Sequence, residues 1–322
     1  MQQVTVAIVG SGYAARLRTK AIAAEPRTRL LGIAASSLDR AKALTVEHGG
    51  EAWDNWEQML ERMQPDLVVV ANENDRHAAI ARASLEQGCH TVVEYPLALD
   101  PAEAEALVQL ARDRQRLLHI EHIELLGGVH RALKEHLPRV GTVRQVLYRT
   151  VAPKRPVGDR WSFRRQRFGF PLVGALSRVH RLTDAFGPVT AVSADYRTWP
   201  EGEDLYRDVW CRATLEFASG AIGELVYAKG ESVWQPERRL EVQGLEGALT
   251  FAGETGELTT AAGPEPLTVG GRRGLFGEDT RQVVDHLLTG SPLYLQPEQS
   301  LYALRVADAC RRAAEQGCRI SV

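Results

Sequence analysis

The sequence has 322 residues, of which 44% are hydrophobic and 25% charged. This length exceeds the usual size of one compact core, so two domains are expected. A formal net charge of -2 argues against nucleic acid or an anionic membrane surface as the main partner. No apolar run reaches the roughly 20 residues of a membrane span, and the sequence starts without a signal or transit pattern, so we expect a cytoplasmic protein.

The first predicted elements are a short strand, a glycine turn and a helix. In VTVAIVGSGYAARLRTKAIAA the apolar run Val4–Val9 meets Gly10 and Gly12 and continues as an alanine-rich helical pattern. This order places backbone N–H groups at a helix N-terminus, where they can hold a pyrophosphate. Ala15 stands at the third small position of the GxGxxA pattern. The residues predicted to contact a dinucleotide here are Gly10, Gly12, Tyr13 and Ala14.

The second predicted strand and helix, RLLGIAASSLDRAKAL, should read the adenosine ribose. An acid at the end of this strand would favour NAD. Here the strand runs instead to Ser36 and Ser37, and Arg40 follows. Small hydroxyls leave room for a 2'-phosphate with which Arg40 can pair, so NADP(H) is favoured and NAD(H) remains possible. Alternatively, Ser36 caps the next helix and Arg40 is only solvated.

The remainder of the first domain, predicted to end at residue 122, repeats strand and helix. Runs such as Leu67–Val70 lack polar alternation, as expected for parallel strands covered on both faces. The sequence thus predicts a doubly wound Rossmann sheet, whose ligands bind beyond the carboxyl ends of the strands. Loops 71–77 and 94–97 should therefore face the cofactor. The residues predicted there are Asn72, Glu73, His77, Glu94 and Tyr95, with Tyr95 near the nicotinamide.

The second domain, predicted over residues 123–322, has a different pattern. Alternating strands such as VTAVSADYRTW and VWCRATLEFASGAIGELVYAKG are separated by turn signals, which predicts an α+β domain with a large, mostly antiparallel sheet. Residues 279–288 and 299–314 read as closing helices, and AAGPEPLTVGGRRG reads as a long surface loop.

Several of these motifs carry a family resemblance. The N-terminal glycine loop, a strand ending in VVEYP and a second domain after HIEHIELL resemble the glucose-fructose oxidoreductase and inositol dehydrogenase superfamily. Its members usually have Glu-Lys-Pro at that strand end and a helix of the form GGxxxDxxxHxxD. Here Tyr95 stands at the lysine position, and in GFPLVGALSRVHRLTDAFG the histidine is kept as His180 while Leu176 replaces the aspartate. Since two of three proton-shuttling groups are absent, oxidation of a sugar is disfavoured.

A narrower resemblance covers nearly the whole chain. VEYPLAL, HIEHIELL, RFGFPLVGALSRV and AKGESVWQPERRLEVQGLEGALTF are similar, in the same order, to segments of the biliverdin reductase family. The resemblance implies hydride transfer from NAD(P)H to the central methine carbon of biliverdin IXα, giving bilirubin. It also implies a monomer, although members of the superfamily often pair through the antiparallel sheet.

The segment KRPVGDRWSFRRQRFGFPLVGALSRVHR alternates basic and aromatic residues. One short cluster in a slightly acidic chain fits a small planar anion better than nucleic acid. Biliverdin is a flat tetrapyrrole with two propionates, so guanidinium groups can pair with its carboxylates while rings stack on its pyrroles. A solvated basic loop is the alternative for Arg164, Arg165 and Arg181. The residues predicted to bind the substrate are Arg164, Arg167, Phe170, Arg178, Arg181 and Glu121.

Three residues are predicted to take part in catalysis. Arg178 is too basic to be a good general acid, but it can stabilise the electron-rich reduced bilin and position a proton donor. Tyr95 packs beside the nicotinamide and can hydrogen-bond there. His180 is either a site residue kept from the superfamily or a hydrogen-bonded core histidine.

Other functions are weighed against this one. No metal site is expected, because the four cysteines are scattered and Glu121 and His122 should face opposite sides of a strand. Two rival hypotheses remain open: a dehydrogenase of a sugar, cyclitol or imine, and a non-catalytic protein that senses NADP or carries a bilin.

Overall fold

The computed structural model describes residues 3–322, and these divide into two compact units. The first unit runs to Ile123 and also contains Gly274–Leu301, and the second contains Glu124–Arg273 and Tyr302–Val322. The sequence analysis placed all residues after 122, including Gly274–Leu301, in the second domain. In the structure this segment belongs to the first unit.

The secondary structure alternates in the first half of the chain and is strand-rich in the second. The strands are β1 (Val4–Val9), β2 (Thr28–Ala34), β3 (Glu51–Trp53), β4 (Leu67–Val70), β5 (His90–Glu94), β6 (Leu118–Glu121), β7 (Val143–Pro153), β8 (Val189–Trp199), β9 (Asp208–Phe217), β10 (Ile222–Gly230), β11 (Glu237–Gly244), β12 (Gly247–Ala252), β13 (Thr255–Thr260), β14 (Gly263–Leu267) and β15 (Ile320–Ser321). The α-helices are α1 (Tyr13–Ala24), α2 (Leu38–His48), α3 (Trp56–Met63), α4 (His77–Glu86), α5 (Pro101–Asp113), α6 (Gly128–His136), α7 (Arg165–Phe168), α8 (Pro171–Gly174), α9 (Ser177–Phe186), α10 (Leu275–Thr289) and α11 (Pro297–Gln316).

The first unit is built on a parallel sheet with strand order β3-β2-β1-β4-β5-β6. All four residues of β4 are buried, as its unbroken apolar sequence predicts for a strand covered on both faces. The order of the strands reverses between β1 and β4, and the loops that follow β1, β4 and β5 all lie at the carboxyl edge of the sheet. The predicted Rossmann fold is confirmed.

Helix α10 joins the first unit through buried charge. It packs against α1, and its fully buried Asp279 accepts a hydrogen bond from Nη1 of Arg18 on that helix. His119 on β6 and the hydroxyl of Tyr294 contact the other carboxylate oxygen, at 2.8 and 2.9 Å. A buried carboxylate is tolerated only when it is paired and hydrogen-bonded, so these partners account for the place of Gly274–Leu301 in the first unit.

The second unit contains a nine-stranded sheet with order β14-β13-β12-β11-β7-β10-β9-β8-β15. Its neighbouring strands are antiparallel except for the parallel pair β7 and β10, which confirms the predicted large, mostly antiparallel sheet. Burial alternates along the strands: Cys211, Ala213 and Leu215 of β9 are buried, whereas Arg212 between them is exposed. This period of two is typical of a sheet with one face on a core.

Two details of the second unit differ from the expectations. Residues 263–267, within the expected surface loop, form the edge strand β14, and its two prolines fit a strand with a neighbour on one side only. The closing helices begin a few residues earlier than expected, at Leu275 and Pro297. Within residues 3–322, no helix is both long enough and apolar enough to cross a membrane.

Candidate functional site

The glycine turn after β1 has the geometry of a dinucleotide loop. Gly10 has φ +138°, and a Cβ there would collide with the carbonyl of Ala71, so only glycine fits. At Gly12, by contrast, a Cβ would meet no atom within 4 Å. No side chain among the described residues caps α1, and its first turn contains no acid. Open space beside uncapped N–H groups at a helix N-terminus suits the pyrophosphate of a dinucleotide.

The end of β2 presents hydroxyls and one cation to solvent. Ser36 and Arg40 are exposed, and Nη1 of Arg40 donates to Oγ of Ser36 at 3.2 Å. The cap of α2 is Ser37, whose hydroxyl accepts from the backbone N–H of Arg40 at 3.4 Å. The alternative in which Ser36 is the cap is therefore wrong by one residue. A guanidinium beside an exposed hydroxyl is compatible with binding of a 2'-phosphate.

His77 ties together the two loops that were expected to face the cofactor. Its Nδ1 lies 2.8 Å from the carbonyl oxygen of Pro96 and its Nε2 lies 3.3 Å from that of Asn72. The ring is 1% exposed, and burial lowers its pKa. Glu73 lies beside Arg76, with 3.8 Å between the charged atoms. His77 thus holds the backbone at Asn72 and at Pro96, next to Tyr95, in fixed positions.

A buried network supports Tyr95. The preceding residue, Glu94, accepts a hydrogen bond from Nε of Arg18 at 2.7 Å and pairs in register with Glu121 on β6. Burial and then the charge of Glu94 raise the pKa of Glu121 well above its ordinary value. The Tyr95 ring stacks on His122, with 5.1 Å between ring centroids and 12° between planes. Glu121, expected to bind substrate, is 1% exposed and bonded to the N–H of Ile123.

In the second unit, α9 carries Arg178 and His180. The guanidinium carbon of Arg178 lies 5.7 Å from the ring centroid of Tyr227, and its Nη1 donates to the Ser177 hydroxyl at 3.0 Å. His180 is 1% exposed, and burial lowers its pKa to about 4. A neutral imidazole at neutral pH can accept or donate a hydrogen bond, but it is not a cationic acid.

The other predicted substrate residues have partners within the second unit. Arg181 is buried and pairs with Glu124 at 2.9 Å, and Arg164 pairs with Asp159 and Asp204 at 2.9 and 3.0 Å. A substrate carboxylate would have to compete with these ion pairs. Arg167 is half-buried on α7, and the buried Phe170 packs edge-on against Tyr196 with 5.2 Å between centroids.

Lys229 is a residue of interest that the sequence analysis missed. It lies on β10, is 8% exposed, and its ammonium lies 3.5 Å from the ring centroid of Phe168 and 4.6 Å from that of Phe163. It donates to the carbonyl of Ser162. Burial, and then the charge of Arg178, lower the pKa of Lys229 well below its ordinary value. A lysine in the otherwise apolar end of this strand was the available signal.

Glu121, His122 and Glu124, which have metal-ligand side chains, do not form a metal centre. In the described part of the chain, no group of three or more His, Cys, Asp or Glu side chains is arranged to hold a metal ion. The three residues instead have separate partners: Glu94 for Glu121, Ser300 for His122 and arginines for Glu124.

Comparison with known proteins gives two matching family models. One describes an oxidoreductase family with an NAD-binding Rossmann fold and covers residues 4–122. The other describes the C-terminal alpha/beta domain of the oxidoreductase family and covers residues 134–322. Together they span both regions of the chain that the motifs connected with this superfamily.

Individual relatives include a bilin enzyme and a sugar enzyme. The crystal structure of biliverdin reductase from Synechocystis sp. PCC 6803, in complex with biliverdin and NADP+, is similar with a TM-score of 0.93 and 43% identity, covering 97% of this chain and 99% of that one. Biliverdin reductase A of Mus musculus is 29% identical over 197 residues, 59% of this chain and 60% of the relative. The dTDP-3,4-didehydro-2,6-dideoxy-alpha-D-glucose 3-reductase of Actinomadura kijaniata is 33% identical over 159 residues, 48% of each chain. The chain thus spans between about half and three fifths of the length of these two curated relatives.

Proposed function

Since the chain belongs to the glucose-fructose oxidoreductase and inositol dehydrogenase family of oxidoreductases, we propose that it is an NAD(P)H-dependent biliverdin reductase. The observation that carries the proposal is the 43% identity, over nearly the full length of both chains, with a biliverdin reductase crystallised with biliverdin and NADP+. The tyrosine at the usual lysine position supports it, because a reductase that adds hydride to a carbon needs no base to deprotonate a hydroxyl.

The first unit supplies the proposed cofactor site. Backbone N–H groups at Gly12 and the start of α1 hold the pyrophosphate, with Tyr13 and Ala14 at the helix start. Ser36, Ser37 and Arg40 hold the 2'-phosphate, so NADPH is preferred and NADH remains usable. Bound NADPH supplies the hydride that reduces the central methine carbon of biliverdin IXα. The residues proposed to surround the nicotinamide are Asn72, Glu73, His77, Glu94 and Tyr95.

The second unit supplies the proposed bilin contacts. Arg178 stabilises the negative charge that develops on the reduced bilin, and its contact with the Tyr227 ring limits its rotation. His180, neutral because burial lowers its pKa to about 4, acts there as a hydrogen-bond partner. Arg167 and Phe170 offer a cation and an apolar surface, whereas Arg164, Arg181 and Glu121 contribute mainly through the partners they already hold.

Two rival functions are tested by the same experiment. The identity of 33% with a sugar 3-reductase favours a sugar substrate, but that match covers 48% of the chain, and Tyr95 and Leu176 replace the usual lysine and aspartate. A non-catalytic NADP sensor or bilin carrier would bind both ligands without reaction. By resemblance to biliverdin reductases we also propose a cytoplasmic monomer. Light scattering after size-exclusion chromatography tests the oligomeric state.

The test is an anaerobic visible-absorbance time course with biliverdin IXα and either NADPH or NADH. Loss of the bilin band with growth of a bilirubin band supports the proposal. A shifted but constant spectrum supports the carrier, and an unshifted, constant spectrum supports a sugar substrate. Arg178→Ala should lower kcat by roughly 100-fold to 1,000-fold, the usual effect of removing one charge-stabilising group. Equal turnover by Arg178→Ala and the wild type would remove Arg178 from the mechanism.

A further inference from the structure

Three arginines share one buried carboxylate in the second unit. Glu124 is 8% exposed, and its Oε2 accepts hydrogen bonds from Arg181 and Arg238, both at 2.9 Å. Its Oε1 accepts from Arg272. Burial raises the pKa of Glu124, but the charges of these arginines, with that of Arg178, outweigh burial and lower the pKa to about 2. The carboxylate is therefore ionised at neutral pH, and the cluster keeps a surplus of positive charge.

The chain brings these groups together from separate elements. Arg238 lies on β11 and Arg272 in the loop after β14. That loop can reach Glu124 because Gly270 packs against Gly128 at the start of α6, where a Cβ on Gly128 would collide with the backbone of Gly270. The two glycines therefore permit a backbone approach that places Arg272 on the carboxylate.

Pairing with Glu124 does not account for all three cations. Arg181 is 3% exposed, also donates to the backbone carbonyl of Glu124 and packs 5.5 Å from the Tyr148 ring, so it already compensates the buried charge. Arg238 and Arg272 add two further charges, and their side chains remain 32% and 48% exposed. Across the described residues, neither of them forms an ion pair with any carboxylate other than Glu124.

The geometry leaves these two guanidinium groups with capacity for another anion. Each guanidinium has five N–H donors, and Arg238 and Arg272 each use one of them on Glu124. Like charges held this close repel one another, and a second carboxylate would relieve that repulsion while completing the hydrogen bonds of the donors that face solvent.

We propose that Arg238 and Arg272, oriented by Glu124, form a binding site for a carboxylate of the substrate. The inference rests on the proposed function, in which the carboxylate is one of the two propionates of biliverdin. Two saturated carbons separate the propionate carboxylate from the conjugated rings, and its bonds do not change during reduction, so the site contributes binding to ground state and transition state alike. Its loss should therefore raise KM and leave kcat nearly unchanged.

The test compares biliverdin IXα with its dimethyl ester, which keeps the pigment and removes both charges. Absorbance titrations of the NADP-loaded protein measure the affinity of each compound for the wild type, Arg272→Gln and the double variant Arg238→Gln/Arg272→Gln. Loss of charged hydrogen bonds should weaken diacid binding by about 10-fold or more in the double variant, with diester binding unchanged. The control is Arg212→Gln, an arginine 70% exposed and paired with Asp195, which should bind both compounds as the wild type does.

Each outcome decides the question. Equal affinities of the wild type and the variants for the diacid would overturn the inference and leave the two arginines as partners of Glu124 only. In that case the substitutions would lower Tm without changing KM. If the double variant does not fold, the single variant Arg272→Gln, at a half-exposed residue, is used for the comparison. A smaller loss of diacid affinity is then expected, and an unchanged affinity would contradict the site. A wild type that binds the diacid better than the diester but reduces neither would refute the proposed function and not this site.

Discussion

Replacing Arg18 with methionine removes the cation that two buried carboxylates of the first unit share. Arg18 is 1% exposed and reaches Glu94 at 2.7 Å and also Asp279, which is fully buried. Breaking a buried ion pair costs roughly 3–5 kcal/mol, because it leaves an uncompensated charge. The matched control is Arg112→Met, whose side chain is 59% exposed and pairs with Glu298, so its loss should cost below about 1 kcal/mol.

The pH dependence of this loss follows from Asp279. Burial raises its pKa, but Arg18 and His119 outweigh burial and hold the pKa below its ordinary value. Without Arg18, the raising effect of burial is opposed less, so Asp279 should bind a proton more readily in the folded variant than in the folded wild type. The deficit of Arg18→Met should therefore be largest near neutral pH and shrink as the pH falls toward that of acid unfolding. Urea denaturation at several pH values measures both; a loss below about 1 kcal/mol, or a constant deficit, would refute the reasoning.

Three further predictions concern the cofactor site and Lys229. Gly12→Ala should fold with a loss of at most about 1 kcal/mol at this helix N-cap, since its Cβ meets nothing within 4 Å and φ is -76°. It should bind NADPH at least about 10-fold more weakly in a fluorescence titration, and unchanged affinity would contradict the pyrophosphate site. Arg40→Gln should raise the KM for NADPH about 10-fold and spare that for NADH, because only NADPH carries the 2'-phosphate; equal effects on both would contradict this pairing. Burial lowers the pKa of Lys229 in the folded state, so the free energy of unfolding of the wild type, relative to Lys229→Met, should rise by up to about 1.4 kcal/mol per pH unit as the pH approaches about 10.4. If urea denaturation gives parallel curves for the two proteins, the aromatic rings hold the ammonium charged.

The fold class and the family were predictable because their signals are local or ordered along the chain. The glycine turn after β1 and the unbroken apolar run of β4 each occupy a few consecutive residues, and both reappear in the structure as predicted. The comparisons confirm the family that four ordered motifs indicated.

What the sequence did not predict depends on distant residues. Arg18 and Asp279 are 261 residues apart, so their ion pair, which assigns α10 to the first unit, has no local signal. The partners of Glu124 lie 57, 114 and 148 residues away, and the lowered pKa of Lys229 arises from burial and from the charge of Arg178 on another element. Pairing of charges across a fold depends on tertiary placement, which propensities and periodicity do not encode.

The most direct test of the proposed reaction is isotope transfer. Biliverdin IXα would be reduced anaerobically with NADPH in which both hydrogens of the hydride-donating nicotinamide carbon are deuterium, and the product examined by mass spectrometry and proton NMR. The account predicts bilirubin with one deuterium at the central methylene carbon. Bilirubin without deuterium, deuterium at another carbon, or no bilirubin in the presence of both ligands would contradict it.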